Sequence, residues 1–391
     1  MRRFIAAAAL VLFGTAHAGA ADLADFRKAL APLRQAPADP KQLNPDILAV
    51  RDGLRDWIET RLAQFPQNGN TEALNKALNG EIAAADLACI EGKAPGYNRC
   101  ASPAELNTRG FLGLIDVERV RDFLIVQAEI GMGCGFDETA YLYEWTKNGW
   151  RRLVDTSQTV VGGVYRPEQI QQVMFGIPPN KPRDALLVAV TGASPVCGAP
   201  YQALHYRVWS AKRGAGASLA VEGREADGMP SRRDPAVSAR FEGGDALFEM
   251  DVRSFDPSRR ARIAVRRFSF DGDTPRRVAP IALGPKDFVE EWLLAPWSAA
   301  SAWTETRARG ALEKTHTELA ANLARVTFLG APQRCETDDV IQVGARFANG
   351  ERFFRLKAGA NGAYEMLGIA SESQKSCTRP DAALDARHTL F

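Results

Sequence analysis

Two glycine-rich loops hold the side chains best suited to chemistry in this sequence. The first, Gly131-Met132-Gly133-Cys134-Gly135-Phe136-Asp137-Glu138, ends in adjacent carboxylates. The second, Gly192-Ala193-Ser194-Pro195-Val196-Cys197-Gly198-Ala199-Pro200-Tyr201, offers a hydroxyl and a phenol, and His205 follows it closely. Paired carboxylates can act as general acid and base, and a Ser near a His can become an activated nucleophile. Glycines let a backbone approach a ligand closely. A Cys134–Cys197 bridge brings the two loops to one edge of the β structure. Asp137, Glu138, Ser194, Tyr201 and His205 are therefore the candidate ligand-binding residues. The plainer reading, in which the glycines serve turns and the bridge ties two strand units, is preferred, because scaffold positions outnumber site positions.

Standard signatures do not sharpen this picture. The chain has no G-x-S-x-G elbow, H-E-x-x-H helix, P-loop or S-x-x-K. The Gly131-x-Gly133-x-Gly135 run lacks dinucleotide-binding spacing and leads into a strand rather than a helix. Beyond the first 18 residues the histidines are His205, His316 and His388, far apart in sequence, so no metal and no cofactor is expected. His316 in a helix and His388 in the tail read as solvated.

The beginning of the chain has the order of a secretory leader. Arg2 and Arg3 precede the apolar run Phe4 to Phe13, and Ala16-His17-Ala18 supplies a small-residue cleavage site, giving a signal peptide over 1–18. The run is too short to span a bilayer, which takes about 20 residues. Basic and acidic residues number 49 and 47, a balance that gives no reason to expect nucleic acid or an anionic membrane surface, and no later apolar stretch approaches the length of a membrane span. The six cysteines all follow the leader, and an even number in an oxidising space reads as three disulfides. Spacing suggests Cys89–Cys100 across a turn-rich loop, Cys335–Cys377 around a run of hairpins, and Cys134–Cys197 by remainder. A periplasmic or secreted location follows, with an envelope protein or polymer as the expected partner.

The elements that must position these residues are legible in the hydrophobic pattern. Asn44-Pro45-Asp46 reads as a helix start, with Val50, Leu54, Ile58, Leu62 and Phe65 at helical spacing, and a second helix begins near Thr71. From Phe111 the period shortens to that of strands. Leu124-Ile125-Val126, Cys134 and Trp145 are echoed by Leu187-Val188-Ala189, Cys197 and Trp209, at offsets of 63 or 64 residues. A third strand unit, 237–283, lacks the cysteine. Helical spacing returns after Gly284, and Trp292, Trp297 and Trp303 read as core anchors rather than a ligand platform. Arg259, Arg260, Arg262, Arg266, Arg267, Arg276 and Arg277 read as a solvated strand face. The fold class is α+β, mainly antiparallel β: a helical N-terminal cap, repeated β-meanders in a propeller-like or sandwich arrangement, and a small C-terminal β unit. The boundaries are 19–105 for the helical region, 106–284 for the meanders, 285–325 for a helical connector and 326–391 for the disulfide-stapled unit and its tail. The function expected is a non-catalytic protein binding a partner or envelope component. The alternative is a periplasmic hydrolase using acidic or Ser residues of the loops around Cys134 and Cys197.

Overall fold

The structure, a computed structural model, describes residues 23, 25, 26, 28, 40–85, 111–132, 135–157, 168–178, 184–193, 202–228, 237–259, 261–272, 274–336, 339–359 and 362–384. The signal-peptide segment lies outside the described residues, as do Cys89, Cys100, Cys134, Cys197, Ser194, Tyr201 and His388.

Helix α1 (Pro40–Leu62) buries Ile47, Val50, Leu54, Trp57, Ile58 and Leu62, a stripe at three- and four-residue spacing. It begins before the expected start because Pro40 suits a first helical position, and Pro45 removes one N–H without ending the helix. Helix α2 (Thr71–Ala84) is capped by the Asn70 side chain, which accepts from the N–H groups of Glu72 and Ala73. Two amides then clamp α2 to the backbone of Ile115 and Val117. Asn75 Oδ1 accepts from Val117 N–H at 2.7 Å, and Asn79 Oδ1 from Ile115 N–H at 2.9 Å. Each Nδ2 donates to the carbonyl of the same residue.

Among the described residues the strands form three antiparallel sheets, so the fold is mainly antiparallel β. The first contains β1 (Phe111–Leu112), β2 (Asp116–Val120), β3 (Phe123–Met132), β4 (Gly135–Thr146) and β5 (Gly149–Asp155). The second holds two meanders. One is β6 (Glu168–Gly176), β7 (Asp184–Ala193), β8 (Gln202–Lys212) and β9 (Gly216–Gly228). The other is β10 (Val237–Glu242), β11 (Asp245–Val252), β12 (Arg262–Ser269) and β13 (Arg276–Arg277). They join where Val252 pairs with Gly228. The sequence echo corresponds to the hairpins β3–β4 and β7–β8, whose long alternating strands register across their whole length.

The C-terminal unit stacks helices on the third sheet. Helix α3 (Pro285–Leu294), short α4 (Trp297–Ala300) and α5 (Arg309–Ala320) cover β14 (Thr327–Phe328), β15 (Gln333–Cys335), β16 (Val340–Phe347), β17 (Gly350–Ala358), β18 (Tyr364–Ala370) and β19 (Cys377–Pro380). Cys335 and Cys377 are register partners on β15 and β19 and form a disulfide. Trp292 is fully buried and donates through Nε1 to Thr304 Oγ1 at 2.9 Å, while Trp297 and Trp303 pack around the same core. His316 departs from its expected exposure. It is buried edge-on to the Trp292 ring, and its Nε2 donates to the Trp292 carbonyl at 2.9 Å. Helix spacing alone placed His316 among polar residues; the facing α3 turns that side of α5 inward.

The arginine-rich hairpin also departs from expectation. Arg259, Arg262, Arg266 and Arg277 are not solvated but form the seam between the second sheet and the C-terminal unit, whereas Arg276 is exposed, Arg267 pairs with Asp245 within the sheet, and Arg260 lies outside the described residues. Asp287, Glu290 and Glu291 share one face of α3 and are all buried. Arg259 reaches Asp287 at 2.7 Å and Glu290 at 2.8 Å. Arg262, Arg266 and Arg277 converge on Glu291 at 3.0, 2.9 and 2.7 Å. The acids lie some 30 positions downstream on another element, so composition around the hairpin did not reveal them.

Candidate functional site

Among the described residues the second sheet ends at β6, whose outer N–H groups have no ladder partner on that side. An unpaired buried edge is costly. Here the start of β4 satisfies it with side chains: Asp137 Oδ1 accepts from Glu168 N–H at 3.4 Å, and Glu138 Oε2 from Ile170 N–H at 2.7 Å. The two carboxylates thus join the first sheet to the edge of the second. Asp137 is 2% exposed, so this attachment is internal.

Glu168, the first residue of β6, is the centre of the site. Its carboxylate accepts from Thr191 Oγ1 at 2.7 Å and from Arg207 Nη1 at 2.9 Å, and it contacts His205 Nδ1 at 2.7 Å. The sheet register explains the convergence. Thr191 is paired with His205 across β7–β8, and His205 and Arg207 project to the same face because side chains alternate. Glu222 on β9 lies opposite Arg207 and accepts from its Nε at 3.2 Å. Glu168 and Arg207 are buried, while His205 is half-buried and Glu222 is open to solvent.

Electrostatics keep the pair ionised. Burial by itself would raise the Glu168 carboxyl, but hydrogen bonds from His205 and Arg207, the Arg207 charge and the Thr191 hydroxyl outweigh it, leaving Glu168 below its ordinary value. Burial opposes the Arg207 charge in turn, and its bonds to Glu168 and Glu222 more than restore it. A carboxyl held down in this way is a poor proton donor near neutral pH. It can orient an imidazole through Nδ1, as a third group orients a general base. Arg207 Nη2 lies 3.1 Å from the same Nδ1, so the guanidinium competes for that role and offsets the carboxylate's charge.

Of the candidate residues, Asp137, Glu138 and His205 are brought together around Glu168, and Ser194 and Tyr201 fall outside the described residues. The sequence reading missed Glu168, Thr191 and Arg207. Two carried a usable signal: Arg207 is two residues from His205 on an alternating strand, and Thr191 lies in the echoed hairpin opposite it. Glu168 had none, because it begins a strand with no strong apolar alternation. Among the described residues no group of three or more His, Cys, Asp and Glu is arranged to hold a metal ion.

No protein-family model matches the chain, and no curated protein is detectably similar to it. Among solved structures, 68% of the chain overlays 78% of a thermostable family-43 glycoside hydrolase, with 9% identity and a TM-score of 0.24. An endo-1,4-beta-xylanase from Bacteroides thetaiotaomicron overlays 66% of this chain and 94% of its own, at 9% identity and a TM-score of 0.14. An alpha-L-arabinofuranosidase from Podospora anserina in complex with cellotriose overlays 67% and 91%, at 11% identity and a TM-score of 0.16. Likeness at these scores transfers neither a family nor an activity to this chain.

Proposed function

We propose that this chain is an exported, non-catalytic binding protein that takes a partner or envelope component at the sheet end bearing Asp137, Glu138 and His205. The supporting observation is how the carboxylates are used. Asp137 and Glu138 cap the backbone of β6, and Glu168 is held by Arg207, Thr191 and His205. What this leaves toward solvent is a polar face of His205 and Glu222 on a rigid sheet, which suits recognition. Export is supported by the leader-like order of residues 1–18 and by the Cys335–Cys377 disulfide. Among the described residues no helix is long and apolar enough to cross a membrane.

The test is cross-linking in intact cells, with the captured neighbours identified by mass spectrometry for the wild type and a His205→Ala, Glu222→Ala variant. Capture of a specific neighbour by the wild type and its loss from an equally stable variant is the expected result. No specific neighbour, or equal capture by both proteins, defeats the reading.

One contact favours the second reading, a hydrolase: His205 Nδ1 against Glu168 Oε1 at 2.7 Å, the arrangement that orients a general base. On that reading a panel of chromogenic esters and amides is turned over by the wild type, and His205→Ala and Glu168→Gln abolish turnover. Lack of any turnover by the wild type ends it.

A further inference from the structure

A second polar groove lies on the far part of the second sheet, away from His205. Two cavities of about 410 and 390 Å3 share Arg267 and Pro280 and so run together. The first is lined by Ser269, Arg276, Val278, Pro280 and, from the C-terminal unit, Ala363. The second is lined by the apolar Leu247, Val265 and Leu283 and by the charged Arg240, Glu242 and Glu249. Both volumes fall within the range of small-molecule sites, which favour junctions between structural units.

The three arginines that line the groove are unequally used. Arg240 pairs with Glu242 at 2.6 Å and Glu249 at 2.7 Å, and Arg267 with Asp245 at 2.7 Å. Arg276 is exposed and, among the described residues, its side chain has no ion pair or hydrogen bond. Two carboxylates share its cavity. Asp245 is engaged by Arg267 Nε at 2.7 Å, and Asp271 accepts from Ser269 Oγ at 3.0 Å. Arg267 commits Nε to Asp245 and has Nη1 3.8 Å from Glu242, beyond hydrogen-bond distance, so its Nη groups keep N–H donors.

We propose that this groove is a ligand site for a small organic carboxylate with an apolar body. The carboxylate meets Arg276 in the forked geometry that guanidinium and carboxylate share, with Arg267 as a second donor. The apolar body lies along Val278, Pro280 and Ala363 toward Leu247, Val265 and Leu283. This assignment is independent of the site around Glu168.

The probe is 4-phenylbutyrate, compared with its neutral amide by titration calorimetry on the full chain. The acid is expected to bind at least about tenfold more tightly than the amide, as charge-assisted bonds require. Arg276→Gln, at an exposed position that leaves the fold unchanged by circular dichroism, is expected to lose that preference. Asp245→Asn removes the nearer of the two acids that face Arg267 and is expected to tighten binding of the acid. No binding of the acid at about 10 mM, equal binding of acid and amide, or an Arg276→Gln protein that binds like the wild type overturns the proposal. Weaker binding to Asp245→Asn overturns the part given to Arg267.

Discussion

Replacing Glu291 by Gln keeps the size and shape of a buried side chain while removing the charge that balances Arg262, Arg266 and Arg277. Two of those arginines keep other acids: Arg262 has Glu290 at 3.6 Å, and Arg266 has Glu225 at 2.7 Å. Arg277 has no second acid among the described residues, and burial together with the Arg266 charge already lowers its affinity for a proton. Burial alone would raise the Glu291 carboxyl, but the three guanidiniums hold it at about 2 instead of 4.5. That displacement corresponds to about 3 kcal/mol of stability. Breaking a buried pair from one side costs about 3–5 kcal/mol, so the two estimates agree at the lower end. Urea is the suitable denaturant because it does not screen charge, and Trp292 and Trp303 report on the seam by fluorescence. A midpoint lower by about 1 M is expected for a chain of this size. The difference should also depend on pH. The folded carboxyl is depressed, so its stabilisation is complete above about 4.5 and lost as the pH falls toward about 2. Glu290 acts in the opposite sense: burial raises its carboxyl despite Arg262, Ser254 and Arg259, so protonating it favours the fold. The wild type and Glu291→Gln should therefore converge near pH 2. A midpoint change below about 0.3 M at pH 7, or a difference that persists at pH 2, would refute the account of the seam.

Three further outcomes follow from the same structure. Reducing Cys335–Cys377, which closes 42 residues of sequence separation, should lower the stability of the C-terminal unit by about 4 kcal/mol in thermal melts; no change on reduction would show that the bridge is dispensable. A Cβ at Gly223 would overlap the Tyr206 ring, so Gly223→Ala should cost about 1–3 kcal/mol, and a melt equal to wild type would mean that the ring has room to move. Glu168→Gln should destabilise by about 3 kcal/mol near pH 7, leaving Arg207 buried without a full counter-charge. Because the Glu168 carboxyl is held low, that difference should shrink in acid, and a pH-independent difference would argue against an ionised Glu168.

The hydrophobic periods by themselves determined the kinds of element and much of their order. The stripe from Val50 to Leu62 requires a helix buried on one side, and the alternation through Tyr141 and Tyr143 requires a strand, because each period fits one backbone geometry. The echo between the units around Cys134 and Cys197 was visible for the same reason: equivalent hairpins need equivalent patterns. The partnership of Cys335 with Cys377 was also legible, since hairpins between them return the chain to its starting edge. Partners far apart in sequence were decided only by the tertiary structure. Asp137 and Glu138 are adjacent carboxylates in the sequence, and that they accept from N–H groups at the edge of β6 is set by how two sheets meet. Arg259, Arg262, Arg266 and Arg277 looked solvated and instead meet Asp287, Glu290 and Glu291, because ion pairing depends on distance in space and leaves no period in the chain. His316 was misplaced for a related reason: a single polar residue on a helix reads as exposed until the facing helix is known.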